Sequence, residues 1–148
     1  MKVTISSPGA PKAVGPYSPA VRAGQLLFVS GQVALDPATG QMAPGDVAAQ
    51  TRQVLKNIGA LLEAAGLTHA DVVRTTVFLV DLGDFGAMND VYRTFFSEGF
   101  PARSTIQAVR LPLEARIEID AIASYDARRL GRLGFRKHKA GSQGPEPR

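Results

Sequence analysis

The segment Thr75-Thr76-Val77-Phe78-Leu79-Val80 constrains the fold more than any other. Side chains of a strand alternate between the two faces of its sheet. Thr75, Val77 and Leu79 therefore share one face, and Thr76, Phe78 and Val80 share the other. Both faces are apolar, so this strand needs cover on both sides. The sequence offers two helical patterns, and two helices cover only one face of a sheet. The other face needs a partner subunit or the N-terminal loop folded over it. Large exposed apolar surfaces usually mark interfaces, so a partner subunit is the simpler cover.

The stronger helical pattern begins after Asp46, a suitable N-cap. Val47, Thr51, Val54, Leu55, Ile58, Leu61, Leu62 and Ala65 recur at helical spacing, and Gly66 stands where a C′ glycine should. A second pattern runs from Asp81 to Phe96, with Leu82, Phe85, Met88, Val91, Tyr92, Phe95 and Phe96 on one side. Strands are expected at Lys2–Ile5, Leu26–Ser30, Val72–Val80, Ser104–Val109 and Arg116–Ser124. Pro8 to Pro19 holds four prolines and two glycines and reads as a loop, and Asp36 to Gly40 reads as a turn. The expected order is β-β-α-β-α-β-β, an α+β layer of two helices on one sheet.

The chain has 148 residues, 45% of them apolar, enough for one domain with a real core. No run approaches the roughly 18 apolar residues of a membrane span. Met1 to Ile5 lacks the apolar stretch of a signal peptide, so a cytoplasmic location is expected. Without cysteine there are no disulfides, thiol nucleophiles or thiolate metal sites. Residues 1–126 hold 10 Lys+Arg against 12 Asp+Glu, whereas residues 127–148 hold 7 against 1. The basic character thus belongs to a C-terminal tail, read as flexible, and the domain 1–126 gives no electrostatic reason to bind nucleic acid.

Neither histidine, His69 nor His138, has an acidic or histidine partner at metal-ligand spacing, and no phosphate loop or dinucleotide fingerprint is present. Arg103 follows Pro101-Ala102 and opens a strand, where a guanidinium can hold a carboxylate by two parallel hydrogen bonds. A salt-bridged or exposed arginine is the commoner case. Glu118 shares a face with Arg116, Asp120 and Ile122. If that face meets a partner, Glu118 sits in an interface cleft, with a raised pKa suited to exchanging protons with water. An ordinary charged strand surface is the alternative. Tyr17, between Pro16 and Pro19, offers a hydroxyl or an aromatic plug. Gly31, in Ser30-Gly31-Gln32, allows close approach of a ligand or a bulge. Asn89 and Thr105 are unremarkable taken alone.

Taken together these pieces form a pattern. Gly15-Pro16-Tyr17-Ser18, Ser30-Gly31-Gln32, Asn89 with Phe95-Phe96, Phe100-Pro101-Ala102-Arg103-Ser104-Thr105, Leu111-Pro112 and Ile117-Glu118-Ile119-Asp120-Ala121-Ile122-Ala123 occur in the order and spacing of the RidA family. This family of reactive intermediate deaminases is also called the L-PSP endoribonuclease family. The chain resembles it from about Ala10 to Ser124. The resemblance implies a chorismate-mutase-like α+β fold, a mixed sheet with two helices on one face, and a homotrimer with sites at the subunit interfaces. It implies hydrolysis of enamines and 2-imino acids, such as 2-aminoacrylate and 2-aminocrotonate, to 2-keto acids and ammonia. No cofactor, metal, nucleic acid or membrane is expected. By position, Arg103 would clamp the substrate carboxylate and Glu118 would activate water and pass a proton to departing ammonia. Tyr17, Ser30 and Asn89 would line the pocket, with backbone near Gly31 and Thr105 touching the ligand. Thr105 stands where many members carry cysteine, and Ser97-Glu98-Gly99 is a shorter segment than in many members.

Two other readings compete. Some relatives have been called endoribonucleases or translation inhibitors, but the domain lacks the histidine pair that metal-independent RNA cleavage usually uses. A non-catalytic module binding small carboxylates would need Arg103 and not Glu118.

Overall fold

A computed structural model describes residues 1–97 and 99–127. The tail expected beyond Asp126 lies outside the described residues, apart from Ala127. Six strands form one mixed sheet: β1 Lys2–Ile5, β2 Ala20–Ala23, β3 Leu26–Gln32, β4 Val72–Leu79, β5 Ala102–Gln107 and β6 Ile117–Ser124. Their order across the sheet is β1-β2-β3-β6-β4-β5. Only β4 and β5 run parallel; the other neighbours are antiparallel. A parallel pair needs a crossover, and helix α2, Phe85–Phe95, lies in that connection. Helix α1, Val47–Ala64, connects β3 to β4. Among the described residues no helix is long and apolar enough to cross a membrane.

The strand β2 was not expected. It is four residues of Ala-Val-Arg-Ala, with little of the β-branched alternation that marks a strand. Gly24, with φ of +59°, and Gln25 turn it back onto β3 as a hairpin, and that Gly is the one local clue. Strand β5 starts two residues earlier than expected. The second helix begins at Phe85, after a 3₁₀ turn at Leu82–Asp84 that leaves Leu82 and Phe85 exposed.

Helix α1 forms as its sequence dictates. Asp46 Oδ1 accepts from the Ala49 N–H at 3.0 Å. At the other end Leu67 N–H donates to the Leu62 carbonyl and Gly66 N–H to that of Glu63, with Gly66 at φ +76°. Those two bonds around a left-handed glycine satisfy carbonyls the helix would otherwise leave open. Both helices pack on the face made by Leu27, Val29, Val77, Leu79, Ile117 and Ile119, all buried. The opposite face is different. Thr76 and Phe78 are only half-buried, and Phe28 and Ile106 beside them are 43% and 47% exposed. One chain therefore buries one face of the central strand and leaves the other open.

Two buried amides of α1 reach across to the sheet. Asn57 donates to the carbonyls of Val33 (3.3 Å) and Leu35 (2.9 Å), and Gln50 Oε1 accepts from the Arg116 N–H at 2.9 Å. They fix the segment leaving β3 and the residue preceding β6. A salt bridge from Arg116 to Asp84, 2.9 Å, adds a second tie to β6.

Candidate active site

Glu118 lies on the open face of the sheet, opposite Phe78 of β4. Beside it β3 carries a bulge. Val29 pairs with Ala121 and Gln32 with Ile119, so three steps on β3 match two on β6. The bulge brings Gly31 under the Glu118 carboxylate. A Cβ at position 31 would lie 2.5 Å from Oε1 and 2.9 Å from Cδ of Glu118. Glycine is needed there for close approach rather than for a special dihedral.

The proline-rich loop closes back on the same place. Ser30 N–H donates to the Pro19 carbonyl (3.0 Å), and Ser30 Oγ donates to the Ser18 carbonyl (2.6 Å). The Ser30 hydroxyl hydrogen is thus committed to anchoring the loop. Tyr17 folds in a tight turn, its N–H on the Gly15 carbonyl, and its hydroxyl oxygen accepts from the Val14 N–H at 3.3 Å. Tyr17, Ser30, Gly31 and Glu118 line one cavity of about 340 Å³. Much of the remaining wall is apolar and includes Val14, Val33, Leu35, Pro112 and Leu113.

The Glu118 carboxylate is half-buried, and no hydrogen bond or ion pair engages it among the described residues. Burial pushes its pKa up, and the charge of Asp120 on the same face pushes it further. Asp120 is itself held, its Oδ1 accepting from the Thr76 N–H at 3.0 Å. A carboxylate with raised proton affinity next to a cavity can take a proton from water and hand it on.

Arg103 lies elsewhere. It pairs in register with Thr75, on the helix side of the sheet, and β5 is the edge strand. Its guanidinium sits 4.7 Å from the centroid of the Tyr92 ring and 5.5 Å from that of Phe85, with one nitrogen 4.0 Å from Met88 Sδ. No carboxylate pairs with it among the described residues. Tyr92 is held beneath it by a 2.7 Å hydrogen bond with Thr75. Asn89, one turn before Arg93 on α2, joins Arg103, Tyr92, Phe100 and Pro101 around a second cavity of about 290 Å³. A cation cushioned on aromatic rings, with donors left over and no carboxylate partner among the described residues, is suited to binding a carboxylate. Thr105, two residues further along the same face of β5, has a buried Oγ1 without a hydrogen bond among the described residues.

The seven expected site residues therefore fall into two sets. Tyr17, Ser30, Gly31 and Glu118 gather at one cavity; Asn89 and Arg103 gather at another, with Thr105 nearby. Within one chain the sheet separates them. Sequence reasoning missed Gln50, Asn57 and Tyr92 as supports of these two places. Gln50 and Asn57 stand on the core stripe of α1, at the spacing Val47, Gln50, Val54, Asn57, Leu61. Polar residues on an apolar stripe were the available signal. His69, for which the sequence indicates a structural or solvated place rather than a metal or catalytic role, packs against Phe95 and Phe96, and its Nε2–H donates to the Leu55 carbonyl at 2.9 Å. Among the described residues no group of three His, Asp or Glu side chains could hold a metal ion.

The model of the Endoribonuclease L-PSP family matches residues 7–125. The chain belongs to the RidA/L-PSP family. A RutC family protein of Pyrococcus horikoshii is 51% identical over 123 residues, 83% of this chain and 98% of that protein. The 2-iminobutanoate/2-iminopropanoate deaminase of Mus musculus is 47% identical over 123 residues, 83% of this chain and 91% of its own length. Among solved structures, E. coli TdcF with bound serine superposes with a TM-score of 0.79 at 43% identity, covering 82% of this chain and 98% of that one. In this RidA/L-PSP chain, the Pro101-Ala102-Arg103-Ser104 and Ile117-Glu118-Ile119 segments belong to one sheet but not to one cavity.

Proposed function

We propose that this chain hydrolyses 2-imino acids to 2-keto acids and ammonia, at sites assembled between copies of itself. The observation that carries this reading is a pair of unsatisfied charges. Arg103 lacks a carboxylate partner and Glu118 lacks a donor among the described residues, and each faces its own cavity. Charged groups with unfilled hydrogen-bonding capacity beside a cavity are suited to a ligand. A 2-imino acid complements both, with a carboxylate for Arg103 and an electrophilic carbon for water held by Glu118. Several relatives are named 2-iminobutanoate/2-iminopropanoate deaminase, and TdcF was solved with an amino acid bound.

Arg103 and Glu118 of one chain face opposite sides of the sheet, so one substrate needs them from two chains. The Arg103 cavity opens at the edge strand β5, and the neighbouring copy would present its open sheet face. The proposed assembly is a closed homotrimer, the head-to-tail arrangement in which each interface joins unlike surfaces. It would also cover Phe28, Phe78 and Ile106. The proposed setting is the cytoplasm.

In the reaction, Arg103 of one copy fixes the substrate carboxylate. Glu118 of the other takes a proton from water as its oxygen bonds to C2 of the protonated imine. The same proton passes to nitrogen; the C–N bond then breaks as Glu118 takes the remaining hydroxyl proton, the C=O forms, and that proton leaves with the departing ammonia as ammonium. The raised proton affinity of Glu118 makes it the stronger base for the first step.

The test couples a serine or threonine dehydratase to this protein and follows keto-acid formation while semicarbazide traps free imine. The protein should accelerate keto-acid formation, and at imine levels below KM Arg103→Ala and Glu118→Gln should each remove nearly all of the effect. Refolding the two variants together should restore about one quarter of wild-type activity, because that share of mixed head-to-tail interfaces receives both intact halves. Absence of acceleration by wild type, both with these imines and with the longer imine released when an L-amino-acid oxidase acts on leucine, sinks the deaminase reading. Inactive variants whose mixtures are no more active than either variant alone sink the shared site.

A further inference from the structure

The connection between β5 and β6 holds the one segment among the described residues where non-glycine backbone is left-handed. Leu113 has φ of 58° and Glu114 has φ of 56°. L-residues are crowded in that region, and leucine has no polar side chain to offset it locally. The surroundings hold the turn in place. Leu111 before it is buried, Pro112 fixes its own φ, and Ala115 N–H donates to the Pro112 carbonyl at 3.1 Å. Arg110 and Glu114 form an exposed ion pair across the turn. The result is an apolar side chain presented outward, 58% exposed, contributing little to the core. It lines the same cavity as Glu118. Backbone strain that the surroundings over-determine tends to sit at ligand clamps.

We propose that Leu113 is a specificity-determining residue, selecting 2-imino acids with branched or longer aliphatic side chains over those with a methyl group. The proposal rests on the deaminase reading of the Glu118 cavity. A substrate with C2 beside Glu118 directs its side chain into the rest of that space. There the wall includes Val14, Val33, Leu35, Pro112 and Leu113, while Lys12 and Gln32 also line the cavity. A methyl group leaves Leu113 in water, whereas an isobutyl group covers it and is covered in turn. The pinned backbone keeps Leu113 in place before the ligand arrives, so little ordering cost is charged against the contact. One methylene in such a pocket changes selectivity by about tenfold or more.

The experiment measures equilibrium binding of two stable 2-keto acids, pyruvate and 4-methyl-2-oxopentanoate, to the full chain by calorimetry. Wild type, Leu113→Ala and Leu113→Asn are compared, asparagine being tolerant of left-handed backbone. Wild type should prefer the longer acid by about tenfold or more, and both variants should lose most of that ratio. An unchanged ratio in the variants, no preference in wild type, or no binding of either acid overturns the proposal. Imine turnover is followed separately on the same preparations. A Leu113-dependent binding preference without turnover would leave Leu113 as a selector and remove the deaminase reading. Turnover with no such preference would do the reverse.

Discussion

The two cavities of this chain are built on opposite principles. The Glu118 cavity is made by a bulge in β3, a proline-braced loop and a strained turn, and its walls are largely apolar. The Arg103 cavity is made by one edge strand and one helix, with its cation resting on Tyr92 and Phe85. Apolar walls raise the proton affinity of a carboxylate, as an acid-base group requires. Aromatic faces hold a guanidinium in place without a carboxylate partner, as an anion clamp would require. On the proposed reading, the difference teaches that proton transfer and anchoring ask for contrary environments, which separate elements of one sheet would provide.

The largest expected effect breaks this comparison at Glu118. Glu118→Gln should lower kcat by about 10²–10⁴-fold, the usual size of general acid-base help, with KM nearly unchanged. The same substitution should not lower stability at neutral pH. The folded-state pKa of Glu118 is raised, so folding disfavours its ionised form. That penalty is absent below the unfolded pKa and grows as pH rises through the folded one. Glutamine removes it, so the variant should match or exceed wild type in denaturant titrations at neutral pH. The difference should vanish at acid pH.

Arg103→Ala should act on the other parameter. Loss of charge-assisted hydrogen bonds of about 1.5–3 kcal/mol should raise KM by roughly 10–10²-fold, and Arg103→Lys should recover only part of it because the fork is lost. Steady-state kinetics on the two variants decide whether the split exists. Equal losses in kcat from both would mean that the two places do not divide the work.

A smaller effect is expected from Gly31→Ala. The added methyl group meets the Glu118 carboxylate, so the carboxylate has to move. Turnover should fall by up to about 10²-fold, the usual result of a 1 Å misplacement, while KM changes less. A crystal structure of the variant would show whether Glu118 has moved.

The smallest effect lies away from both cavities. His69 packs against Phe95 and Phe96, and burial lowers its pKa. The unfolded chain therefore binds a proton more readily than the fold does. Stability should be full above about pH 6.5 and decline below it, and His69→Gln should flatten that decline. Thermal unfolding across pH checks this, and kcat should stay unchanged.

Much of this architecture was legible because its signals are local. Asp46, the stripe from Val47 to Ala65 and Gly66 specify α1 through caps and periodicity that act within a few residues. The alternation of β4 and β6 likewise told which side chains travel together, and the motifs from Tyr17 to Glu118 were sufficient for the family. Strand β2 was not legible, because four residues of low β-propensity become a strand only when β3 lies beside them. The roles of Gln50 and Asn57 were hidden for the same reason, since their partners are 66 and 22–24 residues away.

The sequence by itself thus determined the elements, the family and the identity of the candidate residues. Only the tertiary structure decided that Arg103 faces the helices while Glu118 faces the open side. Alternation gives the relative phase of residues within one strand, but not which phase meets the core. That choice depends on the register between β4, β5 and β6 and on the helices that cover them. It is set by burying Val77, Leu79, Ile117 and Ile119 together.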